Sequence, residues 1–324
     1  MFAPPRRLAL AAIAAGLYAL TGPAAADRPP LRVLLPVSAG SGVDTIVRAA
    51  APALAKALGD QAVIIENLPG AGGITGTAAL VKAAPDGNTI AFVSNNHAVN
   101  PSVYKKMPYD SLADITPISI VGATPFVLVV NPQKLPAKNV QELVALLKAR
   151  PGGYNFASSG NGTIIHLADE MFVDAAAVDA RHIPYKGVGP MLADLIGGQV
   201  DFGVAALPAV QGHLKKGSLR AIGIMGKARA PSLPELPTIA EQGLPEVDIA
   251  GWFAVIGPSK LPPAEVTRLH DAVVAAFADP EVRQAMARQD NVINPTTPEV
   301  AAQYFRAEEQ RYARLVKKAN VSLD

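Results

Sequence analysis

The chain has 324 residues, 50% hydrophobic and 17% charged, with no cysteine. That is enough apolar material for one or two domains with true cores, and it excludes an intrinsically disordered chain. A formal net charge of +2 excludes the strong basic field suited to nucleic acid or an anionic membrane, and the missing cysteines exclude disulfides, thiolate metal sites and a lipid-anchored N-terminal Cys.

In chain order, Arg6 and Arg7 precede an apolar run from Leu8 to Leu20, and Ala24, Ala25 and Ala26 are small residues suited to cleavage. Residues 1–26 therefore read as a secretory signal peptide cut before Asp27. The other reading of the same run, a membrane anchor, needs a longer apolar stretch. The segment removes two Arg and no acid, so 27 of the 29 basic residues remain, against 27 acidic ones. The mature chain is expected to be neutral, exported and free in the periplasm.

Strand and helix patterns then alternate. LRVLLPV (31–37) reads as a buried strand, and Val43, Ile46, Val47, Ala50, Leu54 and Leu58 recur at helical spacing. AVIIEN (62–67) is the next strand, followed by a Gly-rich loop, a helix over 77–84 and a strand within 85–94 behind an Asp-Gly turn. This order predicts an α/β architecture with a largely parallel sheet. The pattern restarts with PFVLVVN (125–131), a helix ending at Pro151-Gly152, the strand YNFAS, a helix, the strand RHIPYKG, the helix PMLADLIGGQ with Pro at its start, and the strands VDFGVAA and LRAIGIMG. A Pro-rich link spans 228–247, and two helices, about 263–278 and 298–319, close the chain. Two such units joined by crossing segments fit two lobes with a cleft, where strand ends meet helix N-termini.

Two loops carry the chemistry. Val37, Ser38, Ala39, Gly40, Ser41 and Gly42 lie between a strand and a helix, with Asp44 at capping-box spacing from Ser41. Ser158, Ser159, Gly160, Asn161, Gly162 and Thr163 occupy the corresponding place in the second unit, ahead of His166. Helix N-termini offer unpaired N–H donors and a positive dipole end, and small side chains admit an anion close to that backbone. Either loop alone also matches an ordinary helix cap. The pattern Gly70-x-Gly72-x-x-x-Gly76 admits a nucleotide-loop reading or close strand–helix packing, and no acidic ribose partner ends the next strand. The five histidines do not pair at metal-ligand spacing, and no nucleophile elbow or carboxylate pair is present. His97, His166 and Lys186 are left open as ligand contacts.

The segments PVSAGSGVD, VIIENLPGAGGITG, AAPDGNTI, NPSVYKKMPYD, SSGNGTIIHLADEMF, HIPYKGVGPMLADLIGGQVD, LRAIGIMGKARAPSLPELPTIAEQG and GWFAVIGPSKLPP follow one another in an order that resembles the periplasmic solute-binding components of tripartite tricarboxylate transporters, the Bug or TctC-like family. Pro36, Gly40 and Asp44 match that family's first ligand loop, with Val37 and Ser41 departing from it. Gly160, Gly162, Thr163, His166 and Leu167 fit the second, with Ile164 and Ile165 apolar where hydroxyl residues are usual. The resemblance implies a Venus-flytrap binding protein of type II-like form, with no cofactor and no catalysis. The ligand would be a small carboxylate passed to a membrane permease, or in some members sensed by a partner protein. A monomer is expected, with residues 27–124 and 227–324 in one lobe and 125–226 in the other. A secreted enzyme acting on a small organic acid is the competing expectation.

Overall fold

A computed structural model describes residues 28–318. The signal peptide expected at 1–26 lies outside the described residues. The first sheet receives β1 (Leu31–Leu35), β2 (Val63–Asn67), β3 (Thr89–Ser94) and β4 (Ile115–Thr124), linked by α1 (Gly42–Ala57), α2 (Ile74–Val81) and α3 (Asn96–Val103). The chain then crosses at Pro125 into β5 (Phe126–Val130), α4 (Val140–Ala149), β6 (Asn155–Ser158), α5 (Ile164–Ala176), β7 (Arg181–Pro184), α6 (Val188–Gly197), β8 (Phe202–Ala206), α7 (Leu207–Lys215) and β9 (Arg220–Ile224). It returns through β10 (Gly251–Pro258), followed by α8 (Pro263–Ala278), α9 (Pro280–Arg288), β11 (Val292–Ile293) and α10 (Pro298–Lys318).

The two sheets share one plan. The first runs β11-β4-β10-β3-β1-β2 and the second β7-β6-β8-β5-β9. Each has a parallel trio, β2-β1-β3 or β7-β6-β8, extended by an antiparallel strand that has just arrived from the other lobe. The sheets are thus mixed where the sequence pattern predicts largely parallel ones. A crossing strand enters from the cleft side, where the parallel strands end, so it must run against them.

Packing follows the strand period. In β1, Leu31, Val33 and Leu35 join Phe92 and Phe253 in a core against Ile46, Val47 and Leu54 of α1 and Leu269, Val273 and Phe277 of α8. Leu34 faces the opposite layer with Val99 of α3 and Phe305 and Tyr312 of α10. Each such side chain contributes about 1.5–3 kcal/mol on burial. In the second lobe every residue of β5 is buried, as expected of a central strand covered on both faces.

The second crossing falls later than expected. Residues 227–250, assigned in sequence to the first lobe, fold largely onto the second. Ile239 N donates to Ile224 O at 2.8 Å, and Ile249 N donates to Met225 O at 2.9 Å. Val140 N donates to Gln242 Oε1 at 2.8 Å. The return is made at Ala250–Gly251. There Asn95, wholly buried at the end of β3, donates to Ala250 O and accepts from Trp252 N.

Candidate functional site

The first-lobe loop is built around Asp44. Ser41 caps α1, its Oγ accepting from Asp44 N at 3.3 Å. The Asp44 carboxylate accepts from Gly40 N at 3.0 Å, Arg48 Nε at 2.9 Å and Asn67 Nδ2 at 2.9 Å. Burial alone would raise this carboxyl, but those hydrogen bonds and the Arg48 charge outweigh it and hold it below the usual carboxylate range. Asp44 therefore braces the loop from behind.

The second-lobe loop closes on its own helix. Thr163 caps α5, accepting from His166 N at 3.3 Å and donating its hydroxyl proton to Gly160 O at 2.9 Å. Ser159 Oγ donates to Thr163 Oγ1 at 3.1 Å. The Thr163 hydroxyl is thus committed to the loop.

Between these loops lies a cavity of about 570 Å³. Residues at or just after the ends of β1, β2, β3, β6, β7 and β8 all reach it, the strand-end placement expected of an open α/β sheet. Of the residues singled out in sequence, Val37, Ser38, Ser41, Gly42, Ser159, Gly160, Asn161 and Thr163 line it. Ala39, Gly40, Asp44, Ser158, Gly162 and His166 do not. His97 is also away from it. That ring bonds Ser111 O at 2.8 Å, and burial pushes it down to about 4. Lys186 does line the cavity; among the described residues it is the lining's one cation, and no Asp or Glu lines it.

Sequence reasoning missed Ser94–Asn96 as wall, together with Tyr185, Gly187 and Val188 around Lys186, and it read the Gly-rich turn Pro69–Gly73 as a nucleotide loop or a packing device and not as carboxylate-cavity wall. Their signal was available, because each follows a strand. The packing reading holds at Gly76, where a Cβ would meet Leu68 O at 2.8 Å and Pro36 Cα at 2.9 Å. Phe126, Gly251 and Trp252 come from the two crossings and could not be placed without the return at residue 251.

The first turns of several helices surround the space: Gly42 and Val43 of α1, Asn96 of α3, Ile164 and Ile165 of α5, and Val188 of α6. Such turns carry N–H groups without intrahelical acceptors. With no acid in the lining, the cavity suits an anion. Val37, Tyr104, Phe126 and Trp252 add apolar surface for a carbon skeleton.

The lobes touch across the cleft. Asn96 Oδ1 accepts from Ile164 N at 2.7 Å, and Ser38 Oγ accepts from Gly189 N at 3.3 Å. A Cβ on Gly42 would lie 2.7 Å from the Ala206 Cβ, so only glycine permits this approach. Gly187, at φ +119°, combines a left-handed backbone with Ser38 Oγ 2.7 Å from where its Cβ would be.

Comparison with known proteins fits this architecture. Residues 46–321 match the model of the tripartite tricarboxylate transporter family receptor. The chain is 37% identical to protein BugT of Bordetella pertussis over 318 residues, 98% of this chain and 96% of BugT. The structure of the periplasmic binding protein BugD superposes with a TM-score of 0.87 at 30% identity, covering 91% of this chain and 99% of BugD. The R. palustris protein Rpa4515, solved with adipate, gives a TM-score of 0.87 at 30% identity, covering 91% of this chain and 98% of that one.

Proposed function

The chain belongs to the tripartite tricarboxylate transporter receptor family, and from that premise we propose that it captures a small carboxylate in the interlobe cleft for delivery to the membrane components of such a transporter. Like its relatives, it is a solute-binding protein of the periplasm and not an enzyme. The observation that carries the ligand class is the acid-free cavity ringed by helix first turns with Lys186 at its edge. Adipate in Rpa4515 supports the same class.

In this reading Val37, Ser38, Ser41 and Gly42 grip the ligand from the first lobe, and Ser159, Gly160 and Asn161 from the second, on a loop that Thr163 holds in shape. Ala39, Gly40, Asp44, Ser158, Gly162 and His166 shape those loops. The ligand then bridges both lobes and favours the closed form by its extra contacts there. Cleavage of residues 1–26 on export belongs to the same proposal, and N-terminal sequencing of the secreted protein should find Asp27 first.

The test uses the chain's single tryptophan, Trp252, which lines the cavity. Adipate and succinate are titrated beside the uncharged adipamide while Trp252 emission and heat are followed. Saturable binding by a diacid, absent with the diamide, is expected. Equal binding of the diamide would overturn the charge argument.

A further inference from the structure

Behind the second-lobe loop two imidazole rings lie stacked. The centroids of His166 and His182 are 3.9 Å apart with an interplanar angle of 11°, and Phe156 stacks on His182 at 5.0 Å. Neither histidine lines the cavity. Each holds one end of the loop instead. Gly162 N donates to His166 Nδ1 at 3.1 Å, and His182 Nε2 lies 2.6 Å from Ser158 Oγ. Ser158 Oγ also donates to Gly160 O and accepts from Gly160 N. The stretch 158–162, whose Ser159, Gly160 and Asn161 face the cavity, is therefore pinned at both ends by this pair.

The partners fix the tautomer. His166 Nδ1 accepts a backbone proton and so carries none, while Nε2 holds the ring proton and faces Glu170 Oε1 at 3.2 Å. The groups facing the pair are few. On α5, Glu170 accepts from His166 Nε2, while Asp169 is buried toward Val204. β7 supplies His182 itself, and β6 supplies the uncharged Phe156 and Ser158. Burial, then the neighbouring His166, pushes His182 down to about 4, so it stays neutral where an ordinary imidazole would titrate.

We infer that His166 and His182 are positioning residues for the ligand: the two stacked rings fix the loop at 158–162, and removing either contact frees one end of the loop and loosens the grip. This rests on the reading that the loop contacts a carboxylate.

The first measurement needs no ligand. Amide exchange of the ligand-free protein at neutral pH, read by nuclear magnetic resonance, follows Ser159, Gly160 and Gly162. His166→Leu removes the acceptor for Gly162 N and should speed exchange at Gly162, while His166→Gln, whose side-chain oxygen can still accept, should bring the rate back toward wild type. Equal exchange at Gly162 in all three proteins would overturn the inference. His182→Phe keeps the stack and removes the Ser158 contact, and should speed amide exchange at Ser159 and Gly160; unchanged exchange would remove His182 from the role. Calorimetry with adipate should show affinity lost in His166→Leu and largely recovered in His166→Gln, and equal affinities would break the link to binding. Adipate and succinate failing to bind the wild type would count against the carboxylate reading, while amide exchange would still decide the histidine pair.

Discussion

Thr163 shows how one hydroxyl divides its duties. It caps α5 and ties down Gly160, so Thr163→Ala should cost about 1 kcal/mol of stability even without ligand. Thr163→Ser should restore most of it. Denaturant unfolding of the three ligand-free proteins checks this, and an unchanged midpoint in Thr163→Ala would deny the cap. Asp169 makes the opposite point. It is wholly buried, and among the described residues neither carboxyl oxygen has a hydrogen-bond partner of good geometry. Burial pushes its pKa well above the usual carboxylate range, against the pull of the Val204 backbone and with Glu170 adding to the rise. A folded pKa above the unfolded one gives a stability contribution complete below the unfolded value and lost as pH rises through the folded value. Asp169→Asn should therefore be more stable than wild type near pH 8, with the gap closing near pH 4; melting curves at the two pH values test it. The cap was legible in sequence because Thr precedes an apolar helical stripe. The buried aspartate was not. Ile164 to Asp169 are all buried, since the lobes meet over the start of α5, and a helix covered on every side loses the period that marks its exposed face.

At the level of elements, the closing contact between α1 and the end of β8 sets a steric limit. Gly42→Val would put a branched side chain where a Cβ already lies 2.7 Å from Ala206. Its backbone is not left-handed, so the fold should survive. Affinity for adipate should fall at least about tenfold, or ~1.4 kcal/mol, with the ligand-free melting point unchanged. Wild-type affinity in this variant would show that binding does not need the lobes this close. Most helices and the parallel strands were readable here because each has one apolar face or an apolar run, but α3 and α9, short and with Pro101 inside or Pro280 at the start, were not read from the sequence. β4 and β10 were not. β4 carries Pro117, which pairs opposite Ile256 beside a register shift, the kind of irregularity that admits proline within a sheet. β10 is buried along its whole length and so shows no alternation.

Across the whole molecule, the same strand plan appears twice, and the restart of the β-α-β pattern at residue 125 announced it. The second crossing was hidden, because the Pro-rich stretch 228–247 has no period of its own and is held on the second lobe through Gln242 and Ile239. That crossing supplies Gly251 and Trp252 to the cavity, so two wall residues were beyond reach until the chain was traced. The account's central claim is that a small carboxylate draws the two lobes together across this cavity. Small-angle scattering of the purified protein, with and without a diacid shown by calorimetry to bind, tests it most directly. A radius of gyration that falls on saturation, and does not fall in Gly42→Val at a concentration that saturates that variant, is the predicted result. A bound diacid that leaves the wild-type radius unchanged would contradict it.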